Sequence, residues 1–184
     1  VSGTGAGDHT PATPGGYYRV ANPLVDGVFV PNGTLAEGQP ITSTGIKAIL
    51  KAGDGDPSPG YWVNGGGLIG DPSKVNNSGG FYLPRYLEEN LTHSVLSGLA
   101  QKGITFDLDA IEASHGGRQV TAFTAVAAES RMLAGGKVSA IVLVDGTEMF
   151  RHTNIAGNEQ IIDLSITRDA RFLTLVIGNS DNNN

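Results

Sequence analysis

Two stretches of the sequence carry aromatic and polar side chains of the kinds that hold a small hydroxylated ligand. They contribute Tyr61, Trp62, Asn64, Tyr82, Arg85 and Tyr86. An aromatic face packs against the apolar C–H surface of a sugar ring, while amide and guanidinium groups hydrogen-bond its hydroxyls. The alternative is that the rings belong to the core at the bases of loops. Because side chains alternate across a strand, only one of the neighbours Tyr61 and Trp62 can point inward.

The sequence contains no pattern that indicates catalysis. Its four histidines lack the spacing of metal ligands, and neither Gly-x-Ser-x-Gly nor His-Glu-x-x-His occurs. The carboxylate pairs Asp54 with Asp56 and Asp107 with Asp109 are the nearest match to a glycosidase. Residues two apart more often form a turn or lie on the solvent face of a strand, whereas a glycosidase needs its pair across a cleft. We therefore predict that the protein is not an enzyme and has no catalytic cofactor.

Composition indicates a single soluble domain made of strands and turns. The chain has 184 residues, of which 27 are Gly, 9 are Pro and 16% are charged. A net charge of −6 with only 12 scattered basic residues argues against nucleic acid or an anionic membrane as partner. No apolar run approaches the roughly 20 residues of a membrane span. The absence of cysteine excludes disulfides, thiolate zinc sites and a thiol nucleophile.

The second half of the chain is a series of short apolar runs separated by turn residues. The runs are Ile104–Leu108, Gln119–Val126, Val138–Val144, Gln160–Ile166 and Arg171–Ile177. This spacing leaves too little room for crossover helices, so it predicts an antiparallel all-β sandwich. Asp145-Gly146 predicts a hairpin with a type I′ turn.

One short helix is expected between the first two of these runs. Asp109 and Glu112 have capping-box spacing, with Asp109 as the N-cap. Gly116 then supplies the left-handed residue that ends the helix after about two turns.

The first half of the chain divides into an arm and further strands. Residues 1–16 are rich in Gly, Thr, Ala and Pro, which predicts a flexible arm, and residues 17–184 form the sandwich domain. Strands are predicted at Tyr17–Val20 and Gly27–Val30, with Ile46–Leu50 and Tyr61–Val63 as a further pair.

Several of these segments, taken in order, resemble a known family. They are Thr92–Ser94, Ile104–Leu108, Val120–Val126, Val138–Val144 with its Asp145-Gly146 turn, and Phe172–Gly178. This order is similar to that of the NPCBM family, carbohydrate-binding modules appended to bacterial glycosidases and surface proteins. The resemblance covers about half of the chain. It implies a galactose-binding-like jelly roll, a carbohydrate or cell-surface glycan as partner, and an exported bacterial protein that is extracellular or displayed at the cell surface.

The resemblance also suggests roles for residues outside the aromatic stretches. His93 stands where the family carries a histidine before a core strand, and it either donates to a bound hydroxyl or holds a backbone carbonyl. Sandwiches of this kind often hold a structural calcium ion, and Asp54-Gly-Asp56 offers hard oxygen ligands for one. Asp54 and Asp56 are therefore the predicted metal ligands.

The sequence departs from the family after the strand at Phe172–Ile177. Family members continue into a further strand that carries a Trp, whereas this chain stops at Asn184, and its single Trp is Trp62. A missing last strand would leave a sheet edge open, which the segment Tyr17–Val20 could fill in its own chain or in a neighbour. The alternative function is therefore a structural subunit of a cell-surface assembly or filament, that is, a homo-oligomer joined through strands.

Overall fold

The computed structural model describes residues 14–50, 63–64, 96–97, 102–128, 138–155 and 160–179. Within these ranges the chain forms short and medium strands and one helix, and every strand pair is antiparallel. The predicted all-β class is confirmed. The strands are β1 (Tyr17–Tyr18), β2 (Val25–Phe29), β3 (Gln39–Pro40), β4 (Lys47–Ala48), β5 (Val63–Asn64), β6 (Leu96–Ser97), β7 (Lys102–Asp107), β8 (Ala122–Ala127), β9 (Val138–Val144), β10 (Thr147–Ile155), β11 (Gln160–Ser165) and β12 (Phe172–Asn179), with helix α1 (Leu108–Ser114) between β7 and β8.

The largest sheet in the described part of the chain has six strands in the order β1-β2-β7-β12-β9-β10. Strand β12 lies at its centre, between β7 and β9. Consecutive residues of β9 enter different cores, Ile141 on one face of the sheet and Val142 on the other. Because both faces are covered, the central strands are mostly apolar on both faces rather than alternating, with a few buried polar residues such as Thr105 and Thr174.

Two cores lie on opposite faces of this sheet. The hairpin-side core joins the β3–β4 region to β2, β9 and β12, and it contains Phe29, Ile41, Ala48, Leu50, Ile141, Leu143 and Val176. The helix-side core joins α1 and the β8–β11 pair to β9 and β12, and it contains Leu108, Val142, Ile162, Ile166, Ala170 and Leu173. Sheets stacked in this way form a β-sandwich.

The helix begins two residues earlier than its capping-box spacing predicts. The N-cap is Asp107, whose side chain accepts a hydrogen bond from Ala110 N at 3.1 Å, so the prediction of Asp109 as N-cap is wrong. Glu112 accepts from Val120 N at 2.8 Å instead of reaching back to the cap. The reason is that β7 runs directly into the helix, which leaves Asp107 as its last extended residue. Gly116 has φ +71°, so the predicted left-handed residue after the helix is confirmed.

The predicted hairpin between β9 and β10 is confirmed. Asp145 has φ 48° and Gly146 has φ 80°, the two positive values that a type I′ turn requires. By contrast, the described residues of the predicted pair Ile46–Leu50 and Tyr61–Val63 have other partners: Val63 pairs with Ser97, while Tyr61 and Trp62 lie outside the described part of the chain. Lys47–Ala48 pairs with Gln39–Pro40, since a neighbouring segment closes a shorter loop and so costs less entropy.

Candidate functional site

Most residues predicted to form a binding site lie outside the described part of the chain. They are Tyr61, Trp62, Tyr82, Arg85, Tyr86 and His93, together with the predicted calcium ligands Asp54 and Asp56. Asn64 is described at the level of its backbone, as the second residue of β5. The calcium site and the ligand-binding site therefore stay predictions.

The pair β5–β6 connects the ends of the segment in which four of these residues occur. Val63 pairs with Ser97 and Asn64 pairs with Leu96, so the two ends of segment 65–95 meet at one place. Leu96 packs against Val25 of β2 and Ile104 of β7. The pair is therefore attached to the sandwich beside the β2–β7 side of the large sheet.

The described residues contain one buried carboxylate with several donors, Asp26, which is only 7% exposed. Its Oδ2 accepts from the Tyr17 hydroxyl at 2.5 Å and from Ser43 N at 2.6 Å, and its Oδ1 accepts from Ser43 Oγ at 2.5 Å. Burial and the hydrogen bond to Asp26 raise the pKa of Tyr17 above its ordinary value. The Tyr17 hydroxyl therefore stays protonated and keeps donating to Asp26.

These contacts indicate that the Asp26 carboxylate holds three parts of the chain together by hydrogen bonds and does not act as a reactive group. Tyr17 belongs to β1, Asp26 to β2 and Ser43 to the loop between β3 and β4. A nucleophilic serine needs a base that takes its proton, usually a histidine oriented by a third group. Ser43 and Tyr17 both donate to the same carboxylate, so each donor holds its own element against β2. No sequence pattern predicted this cluster, although the carboxylate of Asp26 between apolar residues of Val25–Phe29 is a signal that could have indicated it.

A second charged cluster lies where α1 begins, near the start of β12. Arg171 Nη2 is 3.7 Å from Asp107 Oδ2, and Arg171 Nε is 3.6 Å from Asp109 Oδ2. The guanidinium carbon also lies 4.9 Å from the centre of the Phe172 ring. Asp107 and Asp109 thus flank one guanidinium, and Asp107 caps the helix. This arrangement is that of a surface ion pair and not of two carboxylates facing across a cleft.

Neither a metal centre nor a membrane-spanning helix occurs within the described ranges. There, no three His, Asp or Glu side chains are grouped so that they could hold a metal ion. No helix in the same ranges has the length and hydropathy needed to cross a bilayer.

Comparisons with known proteins give a partial likeness to one solved structure. It is "The structure of CBM51 from Clostridium perfringens GH95 in complex with methyl-galactose", with 15% sequence identity and a TM-score of 0.39. The match covers 50% of this chain and 64% of that chain, so this chain spans less than two thirds of that protein's length. No protein-family model and no curated protein matches the sequence. The NPCBM resemblance and the jelly-roll topology therefore stay predictions.

Proposed function

We propose that this protein is a non-catalytic carbohydrate-binding module that acts outside the cell or at the cell surface. The observation that carries the proposal is the β5–β6 pair, which attaches Val63–Asn64 and Leu96–Ser97 to the side of a rigid β-sandwich. Binding residues are often presented on loops that a rigid scaffold positions. The predicted contact Trp62 directly precedes β5 in the sequence, and the predicted contact His93 lies three residues before β6.

The chemistry of the proposed site follows from its residue types. Trp62 and Tyr61 offer aromatic faces for the C–H surface of a sugar ring, and the Asn64 amide can both donate to and accept from its hydroxyls. Tyr82, Arg85 and Tyr86 add two further aromatic faces and a guanidinium. Such a site holds its ligand by stacking and hydrogen bonds.

A glycan array with the intact chain tests this proposal. We expect retention of galactose-type or related sugars at micromolar to millimolar affinity, and we expect Trp62→Ala to weaken binding roughly tenfold because stacking is lost. Met149→Ala is the matched control, because Met149 is a large side chain on β10 that is 46% exposed. It should leave binding unchanged.

Circular dichroism of each variant separates loss of binding from loss of fold. A folded protein that retains no glycan on the array would contradict the proposal. Equal weakening by Trp62→Ala and Met149→Ala would show that the sugar does not contact Trp62.

A structural subunit of a cell-surface assembly is the second candidate function. The observation that favours it is the position of β1, a two-residue strand at the edge of the large sheet and close to the N-terminal arm. A segment in this position can be donated to a neighbouring copy, as in donor-strand exchange. Deletion of the arm separates the two candidates and is considered in the Discussion.

A further inference from the structure

The turn that follows β2 holds the side-chain amide of Asn32 in a polarised state. Asn32 Oδ1 accepts two hydrogen bonds, from Thr34 N at 3.0 Å and from Thr34 Oγ1 at 2.7 Å. Donors to a carbonyl oxygen withdraw electron density from its carbon. Asn32 Cγ is therefore a better electrophile than the same carbon in a free asparagine side chain.

The next residue offers a nucleophile with little steric protection. Gly33 has no side chain to shield its amide nitrogen, and Gly33 and Thr34 are both exposed. Within the described ranges, the Gly33 N–H makes no backbone hydrogen bond. Water can reach the turn, and the nitrogen is not engaged elsewhere.

The backbone on the other side of Asn32 is held firmly. Asn32 N donates to Gln39 Oε1 at 2.5 Å, and Gln39 Nε2 donates to Val30 O at 3.1 Å. The Gln39 side chain is almost wholly buried, with 1% exposure. These hydrogen bonds fix the main chain at Asn32 to Gln39 of β3, so the Asn32-Gly33 step begins from a fixed position.

We propose that the folded protein modifies itself at Asn32-Gly33, through a cyclic imide whose formation the Thr34 hydroxyl promotes. The Gly33 nitrogen forms a bond to Asn32 Cγ, the Cγ–Nδ2 bond breaks, and the amide proton leaves with the departing ammonia. Water then adds to one of the two imide carbonyls. Opening at Cγ yields aspartate, and opening at the main-chain carbon yields isoaspartate, so either product carries one more negative charge.

Asn22 is a matched internal control for this chemistry. Its Oδ1 also accepts from the backbone amide two residues later, Leu24 N at 2.9 Å, so its amide is held in a similar turn. The residue after it is Pro23, which has no N–H and cannot form the imide in the same way. Conversion should therefore occur at Asn32 and not at Asn22.

Peptide mapping of the folded protein, after incubation in mildly alkaline buffer, tests the proposal. The peptide with Asn32 should gain the small mass difference between an amide and a carboxyl group, with isoaspartate among the products, while the peptide with Asn22 stays unchanged. Thr34→Val keeps the shape and the backbone N–H but removes the hydroxyl. It should slow conversion at Asn32 roughly two- to tenfold, whereas Thr34→Ser should restore it.

A sample incubated in denaturant provides the reference rate. If Asn32 converts in the unfolded chain but stays intact in the folded one, the fold protects the turn and the proposal is wrong. If Thr34→Val converts as fast as the wild-type chain, the hydroxyl has no part in the reaction and the proposed mechanism is wrong.

Discussion

Tyr17 shows how one residue can connect several parts of this fold. Its ring lies against the backbone of Gly27, where a side chain would collide with it, and packs on the hairpin-side core. Its hydroxyl reaches the buried carboxylate of Asp26. Gly27 leaves room for an aromatic ring, and Asp26 accepts a hydrogen bond from a hydroxyl at the end of that ring. Tyrosine is the residue that satisfies both conditions.

Tyr17→Phe removes the hydroxyl and leaves the ring in place. We expect the free energy of unfolding to fall by about 1.5–3 kcal/mol, because a hydrogen bond to a buried charged group is lost. Urea unfolding of both proteins at neutral pH measures the difference. An unchanged midpoint would show that water or Ser43 replaces the hydroxyl without cost.

Alkaline pH provides a second readout for the same variant. The folded-state pKa of Tyr17 is raised, mainly by burial and further by Asp26. Its contribution to stability is therefore complete below the ordinary tyrosine pKa of about 10. It is lost as the pH rises beyond that value, since the unfolded chain releases the proton and the folded chain keeps it.

The wild-type protein should accordingly lose stability above this pH more steeply than Tyr17→Phe. Ser43→Ala is the matched control, because it removes a different donor to Asp26 and keeps the phenol. It should lower stability at all pH values and retain the steep alkaline fall. Parallel curves for wild type and Tyr17→Phe would contradict the raised pKa.

Elements with strong local signals could be predicted from the sequence. Strand β9 has the predicted bounds Val138–Val144, and Asp145-Gly146 forms the predicted turn, because a run rich in β-branched residues and a two-residue turn signal act locally. Strand β3 could not be predicted, since Gln39 and Pro40 have no strand preference. Their position depends on hydrogen bonds of the Gln39 side chain with Asn32 and Val30, seven and nine residues earlier, which no spacing pattern in the sequence indicates.

The Asp145-Gly146 turn also connects strands that are distant along the chain. Asp145 Oδ1 accepts from Phe172 N at 2.9 Å, and Asp145 N donates to Phe172 O at 3.0 Å. The turn between β9 and β10 is thus bonded to the first residue of β12. A single side chain both permits the left-handed backbone and closes the end of the sheet.

Asp145→Ala should therefore lower the free energy of unfolding by about 2–4 kcal/mol. The change adds the cost of alanine in the left-handed region to the loss of a charged hydrogen bond. Asp145→Asn is the matched comparison, because asparagine tolerates this backbone and can still accept from Phe172 N. Its cost should be less than half as large in a chemical unfolding series. Equal losses for the two variants would show that charge, rather than conformation, dominates at this turn.

At the scale of the whole molecule, the sequence predicts the fold class but not the order of the strands in the large sheet. Composition and strand spacing indicate an antiparallel sandwich, but the order β1-β2-β7-β12-β9-β10 depends on pairings between strands far apart in sequence. The Asp26 cluster was missed for the same reason, since Tyr17 and Ser43 reach it from different elements. Side chains that converge across a fold leave no spacing signal in the sequence.

The two candidate functions differ in what the N-terminal segment pairs with, its own chain or a neighbouring copy. Tyr17 pairs with Phe29 and Tyr18 with Val28, and Gly15 N donates to Val30 O at 2.9 Å. The segment therefore completes the edge beside β2 of its own chain. The same contacts made with a neighbouring copy would be heterologous and would extend into a filament.

Two deletions distinguish these arrangements. Removal of residues 1–20 takes away β1 with the Tyr17 ring, and we expect it to lower the free energy of unfolding by about 2–4 kcal/mol through lost burial and hydrogen bonding. Removal of residues 1–13 is the matched control and should leave the melting temperature unchanged.

Light scattering of the same proteins over a range of protein concentrations measures whether they assemble. A monomer at all concentrations favours the binding module, while oligomers that grow with concentration and vanish without residues 1–20 favour the filament subunit. A chain without residues 1–20 that melts like the wild type would show that β1 contributes nothing to the fold.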